Sequence, residues 1–490
     1  MTDFLILAIV ALAATSLLLP LLQLVKGRDW NLSGYILAAV LAGVMAVVAF
    51  STSTGAGTTA FGDLLASDAL GGVFALVTLG VTLMVTVASF EARKGPGNPV
   101  YYGLLSFAAL GMLLLSYSKD LLMLFVAWEL MSLPTYVLAG YSKKLRSNEA
   151  AVKYAVIGAM SSAVVLYAIS IAYGLTGSTQ ISVVVSRLAQ LAGQGQSAAL
   201  VGVSVLLFIA GFGFKMSIVP FHMWIPDAYE GAPMTVSALL AAATKKAGFV
   251  AAARVILALT TVYVVTQNPL FSLANILAVL ALVTMTVGNV SALTQKSMTR
   301  LLAYSSIAQA GYILIGFVAY AADPQSLAAS IGLTGSIFHV INHALMKGVA
   351  FLVAGLVILK LRRADLDAYN GLGRRMPTAA FTMTIALLGL AGIPPLSGFW
   401  SKLFLFLSVS NSQFVWLALA AILNSAFSLG YYAWIIKRMF VDEPESTERV
   451  AEPFWHVVVF AVSAGLIIGI GLFPQQAISF ASAAASNIIG

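Results

Sequence analysis

The chain has 490 residues, of which 60% are hydrophobic and only 9% are charged, and its mean hydropathy is +0.97. A soluble protein carries charged residues at about a quarter of its positions, so a surface that faces water on all sides is excluded. The chain has no cysteine, which excludes disulfides, thiolate-held iron–sulfur clusters and thiol catalysis within it.

Apolar runs of about 20 residues, the length that crosses roughly 30 Å of hydrocarbon, follow one another along the whole chain. They predict an all-α polytopic membrane protein with about 14 transmembrane helices. The first run has neither a preceding basic segment nor a cleavage site, so we expect it to be retained rather than removed as a signal peptide. The predicted spans cover residues 4–25, 33–50, 71–91, 100–117, 120–140, 150–174, 200–228, 234–262, 270–293, 301–320, 328–359, 378–408, 412–436 and 454–475.

The basic residues between the spans follow the parity of the span that precedes them. Of the 26, 17 lie in loops after odd-numbered spans, and only Lys119 and Arg187 lie in loops after even-numbered spans. Cytoplasmic loops carry the excess of lysine and arginine, so we expect the odd loops in the cytoplasm and both termini on the other side of the inner (cytoplasmic) membrane. The net charge of +8 thus reflects the topology and not nucleic-acid binding. The same basic residues can also contact anionic lipids. The 17 residues are Lys26, Arg28, Arg93, Lys94, Lys143, Lys144, Arg146, Lys296, Arg300, Lys360, Arg362, Arg363, Arg374, Arg375, Lys437, Arg438 and Arg449.

Charged residues inside the spans are the first candidates for function. Glu129 lies deep within the apolar run LLMLFVAWELMSLPTYVL. A charge at the bilayer centre costs at least about 2.5–3.5 kcal/mol on insertion scales. A lone buried carboxylate would bind a proton, so its charged form needs a partner, and Lys215 in GFGFKMSIVPF is the natural one. A static structural pair is the alternative, but buried pairs stabilise poorly relative to apolar residues. The basic residues inside spans are Lys153, Lys215, Lys245, Lys246, Arg254, Lys347 and Lys402.

Prolines interrupt two of the spans close to a lysine. Pro220 and Pro226 follow Lys215, and the Pro394–Pro395 pair precedes Lys402. Proline breaks a helix, and broken backbone at membrane depth persists only inside protein or beside water. Paired interruptions in the two halves of a chain indicate an inverted repeat and a transport site.

Four further titratable residues lie between these interruptions. Lys245 is near the middle of its span, and His339, His343 and Lys347 recur every four residues, which places them on one helix face. Imidazole titrates near neutral pH and a desolvated lysine can release its proton, so all four are candidates for proton exchange. Hydrogen bonding that fixes helix packing is the alternative for the histidines. A metal site is not expected, because no carboxylate lies near them in the sequence.

The other three basic residues inside spans are expected to be peripheral. Lys246 cannot share a helix face with Lys245, so it should lie at the edge of the protein or face water. Lys153 lies near the start of its span and Arg254 toward the far end, and both should extend to the membrane surface along their apolar stems.

Several strings between the third and thirteenth spans resemble the antiporter-like subunits of complex I and the related Mrp cation/proton antiporters. They are AWELMSLPTYVLAGY, KYAVIGAMSSAVVLYAISIAYGLTG, FKMSIVPFHMWIPDAYEGAP, NHALMKGVAFLVAG and LAGIPPLSGFWSK. The 227–233 string and the short C-terminal segment resemble subunit N most. The resemblance implies two inverted five-helix repeats with broken helices at spans 7 and 12. The implied parts are residues 1–99 (helices 1–3), 100–262 (first repeat, helices 4–8), 263–440 (second repeat, helices 9–13) and 441–490 (helix 14).

The same resemblance assigns roles. Glu129 matches the family's glutamate, Lys215 its paired lysine, Lys245 the central lysine and Lys402 the terminal one. The implied function is that of a proton-translocating subunit N of a respiratory complex I-type dehydrogenase, which couples electron transfer to a quinone or similar carrier to proton pumping. We expect a redox-driven change in the Glu129–Lys215 pairing to move a proton through Lys245 and the histidine face to Lys402.

One departure keeps a second function open. The His339/His343/Lys347 run resembles subunit L and the D-type component of Mrp antiporters more than most bacterial N subunits. A component of an Mrp-type sodium/proton antiporter is therefore the alternative, and a deazaflavin-linked relative of complex I is another source of the pattern. A solute transporter would need a polar pocket at the midplane, and a structural scaffold would leave the buried charges unexplained.

The sequence holds no fingerprint for nucleotide, flavin or cluster binding. No cofactor is therefore expected in this chain, which would be a non-redox subunit of a proton-translocating NADH (or related donor):quinone oxidoreductase. Quinone, flavin or deazaflavin, and iron–sulfur clusters are expected in partner subunits. The expected partners are the other antiporter-like and small membrane subunits of the assembly, together with lipids.

Overall fold

The computed structural model describes residues 2–24, 32–53, 58–92, 98–193, 198–262 and 272–489. Within these ranges, 13 helices are long and apolar enough to cross a membrane. They confirm the predicted all-α polytopic membrane fold. Of the residues that support the topology prediction, Lys26, Arg28, Arg93 and Lys94 lie outside the described residues.

The helices follow the predicted spans closely, with a few clear differences. Helices α6 and α14 are longer than predicted, and the 35 residues of α14 rise about 52 Å, well beyond the hydrocarbon thickness. The helices are α1 (Thr2–Leu21), α2 (Leu32–Ser53), α3 (Ala69–Ala92), α4 (Asn98–Tyr117), α5 (Leu121–Ala139), α6 (Leu145–Thr176), α7 (Ile181–Gly193), α8 (Ala198–Met216), α9 (Ile225–Gly231), α10 (Met234–Leu239), α11 (Lys245–Ala252), α12 (Leu273–Leu293), α13 (Met298–Ala322), α14 (Leu327–Leu361), α15 (Leu372–Arg375), α16 (Pro377–Ala391), α17 (Ser397–Ser410), α18 (Val415–Phe440), α19 (Phe454–Leu472) and α20 (Gln475–Ile489).

The seventh predicted span is broken, as expected from its prolines. Helix α8 ends at Met216 and the next helix, α9, begins at Ile225. Pro220 lies in the break, and its bond to Val219 is cis. Pro226 instead lies in the first turn of α9, where a helix tolerates proline because the backbone N–H there has no helical partner.

The twelfth predicted span is broken in the same manner. Helix α16 ends at Ala391, and Gly392 then adopts φ +87°, a conformation that residues with a Cβ rarely reach. The Pro394–Pro395 bond is cis and lies between this glycine and the start of α17 at Ser397. The two halves, α16 and α17, together form one more crossing in the described residues, in addition to the 13 long helices.

The eighth span runs without interruption from Met234 to Thr260, but its helix type changes along the way. Two π-helical turns, Leu240–Thr244 and Ala253–Leu257, flank α11, and the span ends in a 3-10 turn. Helices α3, α4, α8 and α14 pack around it, and its most apolar stretch is buried on every side. The sequence pattern did not predict the π turns, which occur often at functional sites.

Loops after odd-numbered spans meet at one end of the molecule. The Lys296 carbonyl accepts a hydrogen bond from the Leu366 N–H at 3.0 Å, and the Arg438 carbonyl accepts one from the Gly371 N–H at 2.9 Å. We call this the basic end, since the predicted loops after spans 9, 11 and 13 carry ten of the 26 basic residues.

Loops after even-numbered spans meet at the opposite end. The strands β1 (Thr58–Ala60) and β2 (Leu65–Ser67) form an antiparallel hairpin there. The Leu64 carbonyl, in the turn of this hairpin, accepts a hydrogen bond from Lys119 N–H at 2.9 Å, and Leu121 N–H donates to the Thr179 carbonyl at 2.8 Å.

Three of the described helices have no counterpart among the predicted spans. Helix α7, with 13 residues, α15, with 4, and α20, with 15, are shorter than a membrane span needs. Helix α20 packs against α3 and α14, and the Asn487 side-chain oxygen accepts a hydrogen bond at 2.9 Å from the Ala69 N–H at the start of α3.

Candidate functional site

Glu129 on α5 and Lys215 near the end of α8 do not form the direct ion pair expected from the sequence. The Glu129 carboxylate accepts a hydrogen bond from the Ser162 hydroxyl, whereas the Lys215 ammonium donates to the Tyr154 hydroxyl at 2.8 Å. Glu129 is half-buried and Lys215 is buried, and the two still interact through their charges. The expected contact was wrong: the lysine instead donates to a tyrosine from α6 that lies far away in the sequence.

Aromatic rings surround the Lys215 ammonium. Its nitrogen lies 4.9 Å from the ring centroid of Tyr154, 5.3 Å from Tyr136, 5.6 Å from Phe214 and 6.0 Å from Trp128. Ring faces attract cations, and the C-terminal end of α8 carries partial negative charge. Together these groups hold a buried cation without a carboxylate in contact.

Lys245 and Lys246 are both buried, which corrects the expectation that Lys246 is peripheral. The Lys245 ammonium donates to the Ser306 carbonyl at 2.6 Å, while the Lys246 ammonium contacts Nδ1 of His343. The expectation failed because it assumed that the eighth span has a side facing lipid or water. Protein encloses this span all round, so two consecutive lysines can face the interior in different directions.

His339 is connected to Lys402 through the broken helix. Nε2 of His339 lies 2.9 Å from Oε1 of Gln309, whose amide nitrogen donates to the Leu390 carbonyl at 3.2 Å. The same carbonyl accepts from the Lys402 ammonium at 2.8 Å. Because the Gln309 amide nitrogen donates to a carbonyl, its oxygen accepts from His339, while Nδ1 of His339 lies 3.0 Å from the Ser401 hydroxyl, which donates to the Gly398 carbonyl at 3.1 Å.

The break in the twelfth span supplies the groups that hold Lys402. Its ammonium donates to the carbonyls of Leu390 at 2.8 Å and Ala391 at 3.0 Å, and to the Ser425 hydroxyl at 2.9 Å. It also lies 4.6 Å from the ring centroid of Tyr312. The last carbonyls of a helix have no partner within the helix, so the end of α16 offers them to the cation.

His343 and Lys347 are buried, but they point to different parts of the site. The His343 ring lies 6.3 Å from the His339 ring between centroids. Lys347 donates to the Leu302 carbonyl at 3.0 Å and to the Ser305 hydroxyl, both near the start of α13. Lys347 therefore lies toward the basic end and away from Lys402.

Arg254 also differs from its expected place at the membrane surface. Its guanidinium forms a two-pronged ion pair with Asp68, with distances of 2.9 and 2.7 Å, and donates to the Ser116 carbonyl. Only 8% of the Arg254 side chain is exposed. Lys153 is exposed and pairs with Glu149 and Asp227. The Arg254 pair could not be expected from local sequence, because Asp68 lies 186 positions away.

The described residues contain no cluster of three or more potential metal ligands, and within them no buried lysine forms an ion pair with a carboxylate. Sequence reasoning missed Tyr154, Gln309 and Ser305, which accept or relay hydrogen bonds from the predicted residues. A glutamine inside an apolar run was a signal that could have been used for Gln309. A buried tyrosine or serine in a membrane helix carries no such signal.

Comparison with known proteins places the chain in a family. Residues 118–428 match the family described as NADH:quinone oxidoreductase/Mrp antiporter, TM. The chain is 42% identical over 443 residues to F420H2 dehydrogenase subunit N of Methanosarcina mazei, which covers 88% of this chain and 86% of that protein. It is 37% identical over 497 residues to NADH-quinone oxidoreductase subunit N of Desulfitobacterium hafniense, which covers 98% and 96%.

Solved structures agree with this placement. A chain of respiratory complex I from Thermus thermophilus superposes with a TM-score of 0.80 at 31% identity, over 96% of this chain and 98% of that one. A chain of the Mrp complex from Dietzia shares the fold with a TM-score of 0.84 at 21% identity, over 100% and 97%. From the family match over more than half of its length and the identity to these relatives, the chain belongs to the NADH:quinone oxidoreductase/Mrp antiporter transmembrane family.

Proposed function

We propose that this chain is the antiporter-like subunit N of a respiratory complex I-type dehydrogenase. In this role it translocates protons across the inner membrane while partner subunits, which hold the flavin or deazaflavin, the iron–sulfur clusters and the quinone, transfer electrons. The names of the relatives, NADH-quinone oxidoreductase subunit N and F420H2 dehydrogenase subunit N, support this assembly. The observation that carries the proposal is a set of buried lysines and histidines held by neutral groups and, at one point, linked across the broken twelfth span.

The first step is electrostatic. Glu129 is half-buried beside Val126 and Leu133, which are each 57% exposed, so a neighbouring membrane protein of the assembly can reach this side of α5. A change of charge beside Glu129 alters how firmly Lys215 holds its proton, because interacting sites titrate together. Lys215 donates to Tyr154 and Glu129 accepts from Ser162, so the two residues are not locked in a direct ion pair.

The proton then passes from Lys215 through Lys245, Lys246 and Lys347 to the histidine pair and on to Lys402. Neutral imidazole accepts a proton at one nitrogen and releases one from the other. The 6.3 Å between the His343 and His339 rings requires a water molecule for that transfer. Gln309 holds His339 in place and binds the carbonyl that also holds Lys402.

The two broken helices support the division of the chain into inverted repeats, residues 100–262 and 263–440, flanked by residues 1–99 and 441–490. Lys215 precedes its break and Lys402 follows its own, which is the order that inversion produces. The proposed boundary adjoins residues 263–271, which lie outside the described residues.

The proposal predicts that Glu129→Gln and Lys215→Met each lower proton pumping at least about tenfold, because each removes a charge that the transfer needs. Coupled electron transfer should fall with pumping, while the complex still assembles. The measurement is proton uptake per electron by the purified complex in proteoliposomes. Glu149→Gln is the matched control, since Glu149 is an exposed carboxylate on α6.

Full pumping by both variants would contradict the proposal. The assay also separates the alternative function, because a sodium/proton exchanger would respond to a sodium gradient without any electron donor. Such a response, combined with no proton uptake on donor addition, would favour the Mrp-type function.

A further inference from the structure

Lys347 is a buried cation that faces no carboxylate in the described part of the chain. Its ammonium donates to the Leu302 carbonyl at 3.0 Å and to the Ser305 hydroxyl. Lys245 and Lys246 lie close enough to repel it. A cation buried among like charges needs compensating groups. One carbonyl and one hydroxyl provide little compensation for the charge of Lys347.

The Ser305 hydroxyl continues into a chain of buried polar side chains from two other helices. Its oxygen lies 2.8 Å from the Tyr432 hydroxyl on α18. The rings of Tyr432 and Tyr431 meet edge to face with 4.5 Å between centroids. The Tyr431 hydroxyl donates to Oδ1 of Asn289 on α12 at 3.0 Å. All four side chains are at most 2% exposed.

The direction of the hydrogen bond is fixed at each end of this chain. The Lys347 ammonium can only donate, so the Ser305 oxygen accepts from it. At the other end, the Asn289 nitrogen donates to the Asn424 backbone and side-chain oxygens, both at 3.1 Å. The Asn289 oxygen therefore accepts from Tyr431. The oxygen of Ser305 thus faces the Lys347 ammonium.

We propose that Ser305, Tyr432, Tyr431 and Asn289 form a dipole chain that acts as the counter-charge of Lys347 and positions it as a proton-binding station. The inference rests on the proposed function, since it names how one station of that route is held. Hydrogen bonds in such a chain polarise one another, so the whole chain stabilises the cation more than Ser305 alone.

A dipole chain suits a lysine that changes charge during turnover. When a buried ion pair loses the charge of one partner, the other is left buried and uncompensated. Hydroxyls leave no such charge behind, because serine and tyrosine O–H groups can rotate when the ammonium becomes neutral. Lys347 can therefore gain and lose its proton without a fixed anion beside it.

The test is a double-mutant cycle in the assembled complex, with proton pumping per electron in proteoliposomes as the readout. Tyr432→Phe removes only the hydroxyl and should lower pumping severalfold. In a Lys347→Met background the same substitution should change pumping little further, because the chain acts through Lys347. Tyr304→Phe, which removes a hydroxyl next to Ser305 on α13, is the matched control and should leave pumping intact.

A second pair of variants covers the case in which Tyr432→Phe fails to assemble. Ser305→Ala should lower pumping, and Ser305→Thr, which keeps a hydroxyl, should restore most of it. Additive losses in the cycle, or full pumping by Tyr432→Phe while Lys347→Met is impaired, would overturn the dipole chain. Full pumping by Lys347→Met would overturn it as well, by removing Lys347 from the proposed route, while leaving the pumping function itself in place.

Discussion

Lys246 determines which nitrogen of His343 carries a hydrogen. An ammonium has no lone pair, so Nδ1 of His343, which contacts it, must accept and Nε2 must hold the proton of the neutral ring. Nε2 of His339 donates to the Gln309 oxygen, and its Nδ1 contacts the Ser401 hydroxyl. In the proposed route, a proton that reaches Nδ1 of His343 can leave from Nε2.

We therefore predict that Lys246→Met lowers proton pumping at least about tenfold, as much as Lys245→Met does, because it frees the His343 ring and removes a proton donor. Methionine fills a similar apolar volume, so the complex should assemble. The assay is proton uptake per electron in proteoliposomes. Lys153→Met is the control, since Lys153 is 45% exposed and should change pumping little. Normal pumping by Lys246→Met would contradict this prediction and would mean that Lys246 has only a structural role.

At the scale of the helix, the break between α16 and α17 creates the binding site for a buried cation. A continuous helix uses its own carbonyls, whereas α16 ends at the buried Ala391 and presents the carbonyls of Leu390 and Ala391 to Lys402. The two halves of the broken span must approach closely for this geometry. A Cβ added at Gly398, in the first turn of α17, would lie 1.9 Å from the Gly389 carbonyl oxygen of α16.

Gly398→Ala should therefore force the two halves apart and destabilise the subunit by about 1–3 kcal/mol. Pumping should fall with it, because the carbonyls that bind Lys402 move. The measurements are the thermal midpoint of the purified complex and its proton uptake. Gly469→Ala on α19 is the matched control, since nothing lies within 4 Å of its added Cβ. That control should be neutral or stabilising by up to about 1 kcal/mol. If the two variants have the same thermal midpoint and the same proton uptake, close approach of α16 and α17 is not what holds the break together.

The elements were predictable from the sequence where one physical pattern decided them. Length and apolarity located the spans, and proline located the breaks in spans 7 and 12. Helices α7 and α20 were missed because they are too short to cross the membrane. The π turns around Lys245 were missed because a span enclosed on every side has no periodic polar face to read.

At the scale of the whole molecule, the residues of the site could be predicted but their partners could not. Glu129 and the buried lysines stand out because charge in an apolar run is rare. The groups that hold them, such as Tyr154 for Lys215, come from other helices and resemble ordinary packing residues. Only the folded chain shows that the lysines are bound by hydroxyls, carbonyls and rings rather than by carboxylates.

The basic end of the molecule gives the last prediction. Loops after spans 9, 11 and 13 bind one another there, as the hydrogen bonds from Leu366 to Lys296 and from Gly371 to Arg438 show. Lysine- and arginine-rich loops stay in the cytoplasm, so this end should face inward and both termini outward.

Because the chain has no cysteine, single cysteines can report this orientation without background labelling of this subunit. Glu443→Cys lies in an exposed loop at the basic end, and Asp323→Cys in an exposed loop at the other. A membrane-impermeant maleimide should label Asp323→Cys in right-side-out vesicles and Glu443→Cys only in inverted ones. Detergent-permeabilised vesicles, in which both must react, control for accessibility. The reverse labelling pattern would show that the molecule has the opposite orientation in the membrane. The proposed proton route would then run from the opposite side.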